Sequence, residues 1–531
     1  MTEMEKPNEL RETEAKTDVK SEAAEEAGKA VTVAEKEHFI KLLTLPDKLL
    51  TIGALAIGVL FVWLFYGKYP GISVPLFVIA FYALLFAYTR PVLSKEAWFG
   101  WFLSIPVFML SLTYMIFGNE ILMVLNILAL PLLILLQTLL ITGVNSFKWY
   151  NPGIMVDLLC GVFYRCLAHV IKPFGIAAVI LRRKANEDKT KSVGVRVLTG
   201  LLISLPLLVI LLALLSSADM VFGRLVDKLP KLFEQLNMDE FIGKSIVALI
   251  ISFLTFSYLW SVRHGDRPAD SAAKASDTII PLQKVSWDQV TIITITAAVN
   301  VLYILFVIIQ FTYLFGGSGL PEGFTYAEYA RSGFFELILV TLLNIGLLAC
   351  TLTFTRRGTT TAGTVLKVLN TIMIGCTFVM LVSAHYRMSL YEEAYGYTFL
   401  RIMTQAFMVF LLVLFVITLA RVWVEHLPLV KPYIIVAIIA FTVVNYINVD
   451  TMIVKKNMER YYSSNVIDMA YFKTLSNDIV RDVKKLAEDK DPTVAAAAKE
   501  ILDQREKRLS ENTHWQSFNL SDYRARKVLD H

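Results

Sequence analysis

The sequence predicts an all-α fold: a polytopic transmembrane helical bundle of about eleven spans, N-terminus in and C-terminus out, with a small helical C-terminal extracytoplasmic domain. Three observations carry this expectation. Of 531 residues, 56% are hydrophobic and only 18% charged, whereas a soluble chain holds roughly a quarter charged residues. The apolar residues gather in runs of about 18–25, long enough to cross a hydrocarbon core of roughly 30 Å. The basic residues collect in every second loop between those runs.

Residues 1–36 are acidic and Ala-rich, with almost no large apolar side chains, and predict a disordered cytoplasmic tail. They hold no apolar core of a cleavable signal peptide. The bundle, 37–448, follows. Spans are expected at 49–66, 71–89, 98–117, 121–143, 194–215, 242–261, 289–314, 333–355, 366–384, 399–420 and 432–448. Loops after the even-numbered spans carry Arg90 and Lys95, then Lys148 and Arg182 to Lys191, then Arg263 to Lys284 (the 264–288 loop), then Arg356 and Arg357, then Arg421 and Lys431. Loops after the odd-numbered spans carry few basic residues. The positive-inside rule therefore places the N-terminus in the cytoplasm, and eleven spans place the tail, 449–531, outside.

Within the bundle, 153–172 alternates at helical spacing. Ile154, Met155, Leu158, Leu159, Val162, Phe163, Cys166, Leu167 and Val170 form one side; Asp157, Tyr164, Arg165, His169 and Lys172 form the other. This predicts an amphipathic helix lying in the cytoplasmic interface. In the tail, Pro492 is expected to open a helix over 492–509, with acidic residues 489–491 at its start. Ser521 is expected to cap a last helix.

Candidate chemistry concentrates at one level. Gln310, Glu336, His385, Arg387, Arg401, Gln405, Asn445, Asn448 and Asp450 all fall at the outer ends of the last five expected spans. Ionisable groups at membrane depth mark sites by default, and the natural ion pair is Glu336 with Arg401. With Tyr329 from the preceding external segment, all of these except Gln310 form the expected ligand-binding set. Thr325 and Glu328 fit a capping box, and the glycines at 316–323 fit a turn. Glu392 and Glu393 read as solvated loop charges. Asn300, Asn344 and Asn370 are the mid-span polar groups.

Several chemistries find no support. The net charge of +5 is too small to indicate nucleic acid. The four cysteines lie in or beside apolar segments, which argues against a disulfide framework. Gly243-Lys244-Ser245 lacks the first glycine and the preceding strand of a phosphate loop. No metal-ligand spacing appears, and neither metal nor cofactor is expected. The expected partners are the bilayer and an envelope lipid or polymer precursor.

The segments Ser217-Ala218-Asp219 with Phe222, GFTYAEYARSGFFEL, LYEEAYGYTFLR, NYINVD, LSNDIV and WQSFNLSDYRA together resemble a bacterial membrane family of unknown function, domain of unknown function 4173, related to 4153. The resemblance covers most of 40–531. The chain departs from it at Val449, where proline is expected, and at Lys455-Lys456. It implies a multi-pass bacterial plasma-membrane protein and transfers no activity. Three functions remain in view: an outward-facing site that binds or processes an envelope component, a secondary transporter or channel, and a sensory or scaffold component.

Overall fold

The computed structural model describes residues 44–174, 238–264, 288–310, 334–355 and 361–530, apart from 90, 92, 94–96, 425 and 512, with isolated positions between 176 and 219. The tail 1–36, most of the span expected at 194–215, the basic loop 182–191, most of 264–288 and the segment holding Tyr329 lie outside the described residues.

The described elements are helical. In chain order they are α1 (Leu45–Phe65), α2 (Ser73–Tyr88), α3 (Trp98–Phe102), α4 (Ser104–Ile116), α5 (Glu120–Thr142), α6 (Ile154–Leu159), α7 (Met238–His264), α8 (Gln289–Gln310), α9 (Phe334–Phe354), α10 (Thr361–Tyr395), α11 (Phe399–Trp423), α12 (Val430–Tyr446), α13 (Val449–Ser464), α14 (Met469–Phe472), α15 (Val480–Leu486), α16 (Pro492–Glu511) and α17 (Leu520–Leu529). Among the described residues, 8 helices are long and apolar enough to cross a membrane, counting α3 and α4 together, or 9 if the bent pair α12–α13 is one span. The protein is an all-helical integral membrane protein. The apolar α2 is shorter, at 16 residues.

Sequence explains the boundaries. Asp47 reaches back to the Thr44 N–H at 2.9 Å, closing the N-terminus of α1. Asn119 accepts from the Leu122 N–H at 2.9 Å to cap α5, which ends at Gly143 with φ +68°. Asn448 accepts from the Thr451 N–H at 3.1 Å, so α13 starts afresh two residues after α12 and at 61° to it. The last helix is capped by Asn519, whose Oδ1 accepts from the Ser521 N–H at 2.7 Å. That corrects the expectation of Ser521 as the cap: Ser521 already lies inside the helix.

The chain divides into two compact units. One contains α1, the C-terminal half of α2, α7 and residues 163–174, with α1 packed along α7. The start of α1 and the ends of α2 and α7 meet there, through Asp47, Tyr88 and His264.

The other unit contains α3–α6 and α8–α17. In it α10 packs against α8, α9 and α11, and α12 packs against α4 and α11. The tail α13–α17 has its own core: Val449, Ile453, Phe472, Ile479, Val483, Leu486, Val494, Ala498 and Ile501 are buried. That core continues into Leu122 of α5 and Phe399 and Ile402 of α11, so the tail sits on the ends of those helices.

Candidate functional site

The helix α10 positions the site by being longer than its apolar core. It runs 35 residues and continues past the expected exit at Ala384 to Tyr395. Nothing in 385–395 breaks a helix; the stop is Gly396, whose φ of +84° suits glycine. The extension carries Arg387, Met388, Tyr391 and Glu392 at helical spacing. Arg387, Met388 and Glu392 are buried.

Glu392 is 3% exposed, which overturns its reading as a solvated loop charge. Its Oε2 accepts from Gln405 Nε2 at 2.6 Å, and Gln405 Nε2 lies 3.4 Å from Ser389 Oγ. The other oxygen, Oε1, is buried with no hydrogen-bond partner among the described residues. One turn away, Gln310 Oε1 accepts from Ser383 Oγ at 2.6 Å and from Arg387 Nη2 at 3.4 Å.

Arg401 does not pair with Glu336. Its Nη1 donates to the Gly396 carbonyl and its guanidinium lies 4.3 Å from the Tyr391 ring centroid. Glu336, in the first turn of α9, is exposed. The correction has a local cause: a carbonyl and a ring within ten residues of Arg401 are held in place by the α10–α11 turn. His385 is exposed too.

The remaining residues of the expected set serve a second purpose. Asn448 is the α13 cap. Asp450, 2% exposed, accepts from Asn119 Nδ2 at 2.7 Å and from the Ser476 N–H at 3.0 Å. Asn445 Oδ1 accepts from Asn126 Nδ2 at 2.7 Å, joining α12 to α5. These contacts seat the tail and lie among α4, α5 and α12 rather than beside Glu392. The set thus divides: Gln405 and Arg401 gather around Glu392 and Arg387 meets Gln310, while Asn445, Asn448 and Asp450 form a separate structural group.

Sequence reasoning missed the tail's grip on the site. Arg460 Nη2 donates to the Ala394 carbonyl and its Nε to the Glu393 carbonyl, both at 2.7 Å. The Phe399 N–H donates to Tyr471 Oη at 2.8 Å. Two of the mid-span asparagines make interhelical bonds: Asn300 Nδ2 donates to the Leu369 carbonyl at 2.8 Å and Asn344 Nδ2 to Thr377 Oγ1 at 2.9 Å. Among the described residues no group of three or more His, Cys, Asp or Glu is arranged to hold a metal ion.

The model of a family described as "Domain of unknown function (DUF4153)" matches residues 104–486. No curated protein and no solved structure matches the chain.

Proposed function

This chain belongs to the DUF4153 family, and we propose that it binds a cell-envelope ligand, such as a lipid or polymer precursor, at the tail-covered end of α10 and α11. The observation that carries the proposal is the free Oε1 of Glu392. A buried carboxylate oxygen without a donor is costly, and more so at membrane depth. A ligand hydroxyl or ammonium would supply the missing donor. Gln405 fixes the carboxylate from the other side, and Arg401 and Arg387 offer positive charge to an anionic part of the same ligand. Glu336, His385 and Tyr329 enter the proposal only as outer contacts. The reading includes a bacterial plasma-membrane location, the 4173 relationship, a cytoplasmic N-terminus and an external tail; the alternation of basic loops supports the sidedness.

Native mass spectrometry of the full-length protein, purified from its own membranes, tests this. Wild type should retain an envelope lipid or precursor that Glu392→Gln releases at unchanged protein yield. Equal retention by both would remove Glu392 from the site. A reporter fused after His531 tests the sidedness; cytoplasmic signal there rejects it.

A second reading, transport, rests on one observation. Thr296 Oγ1 and Asn300 Oδ1 on α8 and Asn370 Oδ1 on α10 are buried without partners among the described residues. Polar groups at mid-span are where transporters place their cargo. Cysteine introduced at Thr296 should react with a water-soluble thiol reagent if a path exists; complete protection from both sides ends this reading.

A further inference from the structure

The unit built from α1, α2 and α7 holds a second polar cluster. Asp47, 0% exposed, accepts from Tyr88 Oη at 2.8 Å, and His264 Nε2 lies 3.4 Å from the same oxygen. His264 Nδ1 is 3.3 Å from Tyr88 Oη. With the Thr44 N–H also donating to it, the Asp47 carboxylate is fully engaged and buried.

The cations around this core are held differently. Lys172 Nζ sits 5.0 Å from the Trp260 ring centroid, and the Arg263 guanidinium 4.7 Å from that of Tyr88. Trp260 in turn stacks on His264, with ring centroids 4.2 Å apart. Arg263 Nη1 donates to the Tyr88 carbonyl. Among the described residues neither cation forms an ion pair, and Lys172 Nζ makes no hydrogen bond. Aromatic faces orient both charges while leaving N–H donors unused. Burial also holds the Lys172 ammonium below the usual lysine value, a penalty that a nearby anion relieves.

Beside these charges the chain turns an apolar surface outward. Phe163, Leu167 and Ile171, four residues apart, are 65%, 60% and 81% exposed. Ser257 of α7 fixes the segment: it donates to the Arg165 carbonyl at 2.8 Å and accepts from the His169 N–H at 2.9 Å. The segment leaves a π-helical turn, Cys160–Arg165, a local distortion often found where a helix serves a site.

We propose that Lys172 and Arg263 bind the phosphate of an anionic phospholipid whose acyl chains lie along Phe163, Leu167 and Ile171. Charge complementarity selects this occupant: two cations oriented without carboxylate partners, next to an exposed apolar surface that acyl chains would cover in a membrane protein. Arginine offers a forked donor to phosphate and lysine a point charge. The site does not rest on the Glu392 reading and lies in the other unit of the chain.

The test uses the full-length protein in nanodiscs of phosphatidylcholine alone or with phosphatidylglycerol added. Native mass spectrometry reads lipid retention, and a thermal midpoint reads stability. Wild type should retain phosphatidylglycerol preferentially and gain thermal stability from it. Lys172→Gln and Arg263→Gln should each weaken the preference about fivefold, the value of one basic charge near a membrane surface. If the variants keep the wild-type preference, the site is overturned. If inorganic phosphate stabilises wild type as well as phosphatidylglycerol does, the lipid assignment is overturned. Should Arg263→Gln fail to accumulate through loss of its bond to Tyr88, Lys172→Gln alone decides by the same comparison.

Discussion

Asn457 holds the backbone of Tyr397 from both directions. The Tyr397 N–H donates to Asn457 Oδ1, and Asn457 Nδ2 donates to the Tyr397 carbonyl, each at 2.8 Å. A side-chain amide thereby stands in for a neighbouring backbone, across 60 residues of sequence. The contact fixes the turn between α10 and α11, and the positions of Glu392 and Arg401 depend on that turn.

Replacing Asn457 by alanine strips both backbone groups of their partner. The expected loss is about 2 kcal/mol, the cost of leaving buried polar groups unmade. It should appear as a lower thermal midpoint and faster proteolysis between 393 and 399. Asn457→Asp keeps the acceptor and loses the donor, and should fall between. Wild-type stability in Asn457→Ala would show that the clamp is incidental.

Gly396→Ala should destabilise the same turn through two effects. The φ of +84° is unfavourable for a residue with a side chain, and the added Cβ would lie 2.6 Å from Asn457 Oδ1. Together these cost about 1–3 kcal/mol. Because the clash is with Asn457, the double variant with Asn457→Ala should lose less than the sum of the two singles. Strict additivity in the thermal midpoints would refute the shared cause.

Glu392→Gln separates a binding role from a structural one. The amide retains an oxygen for Gln405 and removes a buried charge, so ligand-free protein should be no less stable than wild type. Retention of the co-purifying lipid should nevertheless fall. A lower midpoint without any ligand effect would make Glu392 a structural group.

Asp478 of the tail lies outside the candidate spans. Burial pushes its carboxyl above the ordinary aspartate value, the nearby Asp450 carboxylate adds to this, and the Gly118 N–H at 3.1 Å opposes it. The folded form therefore keeps its proton at pH values where the unfolded chain has released it. Stability from this group is complete below the ordinary aspartate value and is lost as pH rises through the elevated one. Subtracting the pH–stability profile of Asp478→Asn from that of wild type should leave a downward slope across that interval. An upward slope would reverse the assignment.

The eight long apolar helices were legible because runs of apolar residues report the surrounding lipid directly. The end of α10 was not. Hydropathy changes at His385, where the environment becomes polar, but the helix continues until Gly396 allows a left-handed turn. The spacing of Arg387, Met388, Tyr391 and Glu392 is helical and would have placed Glu392 on a buried face. The Arg401 partner was misassigned because ion pairing across helices was weighed and a carbonyl five residues back was not. The bond from Asn119 to Asp450 had no local signal, since nothing in either segment specifies a partner 331 residues away.

That separation bears on how the protein is made. Asn119 caps α5 with its oxygen and holds Asp450 with its nitrogen, and Asn519 Nδ2 donates to the Tyr114 and Phe117 carbonyls, both at 2.8 Å. Helices α4 and α5 emerge in synthesis well before the groups that tie down their shared loop, which follow 331 and more residues later. The early hairpin must therefore wait in the membrane, incompletely secured, for the whole chain to follow. Assembly of this unit closes through the tail, and the α4–α5 loop is fully tied only once Asp450 and Asn519 have both followed.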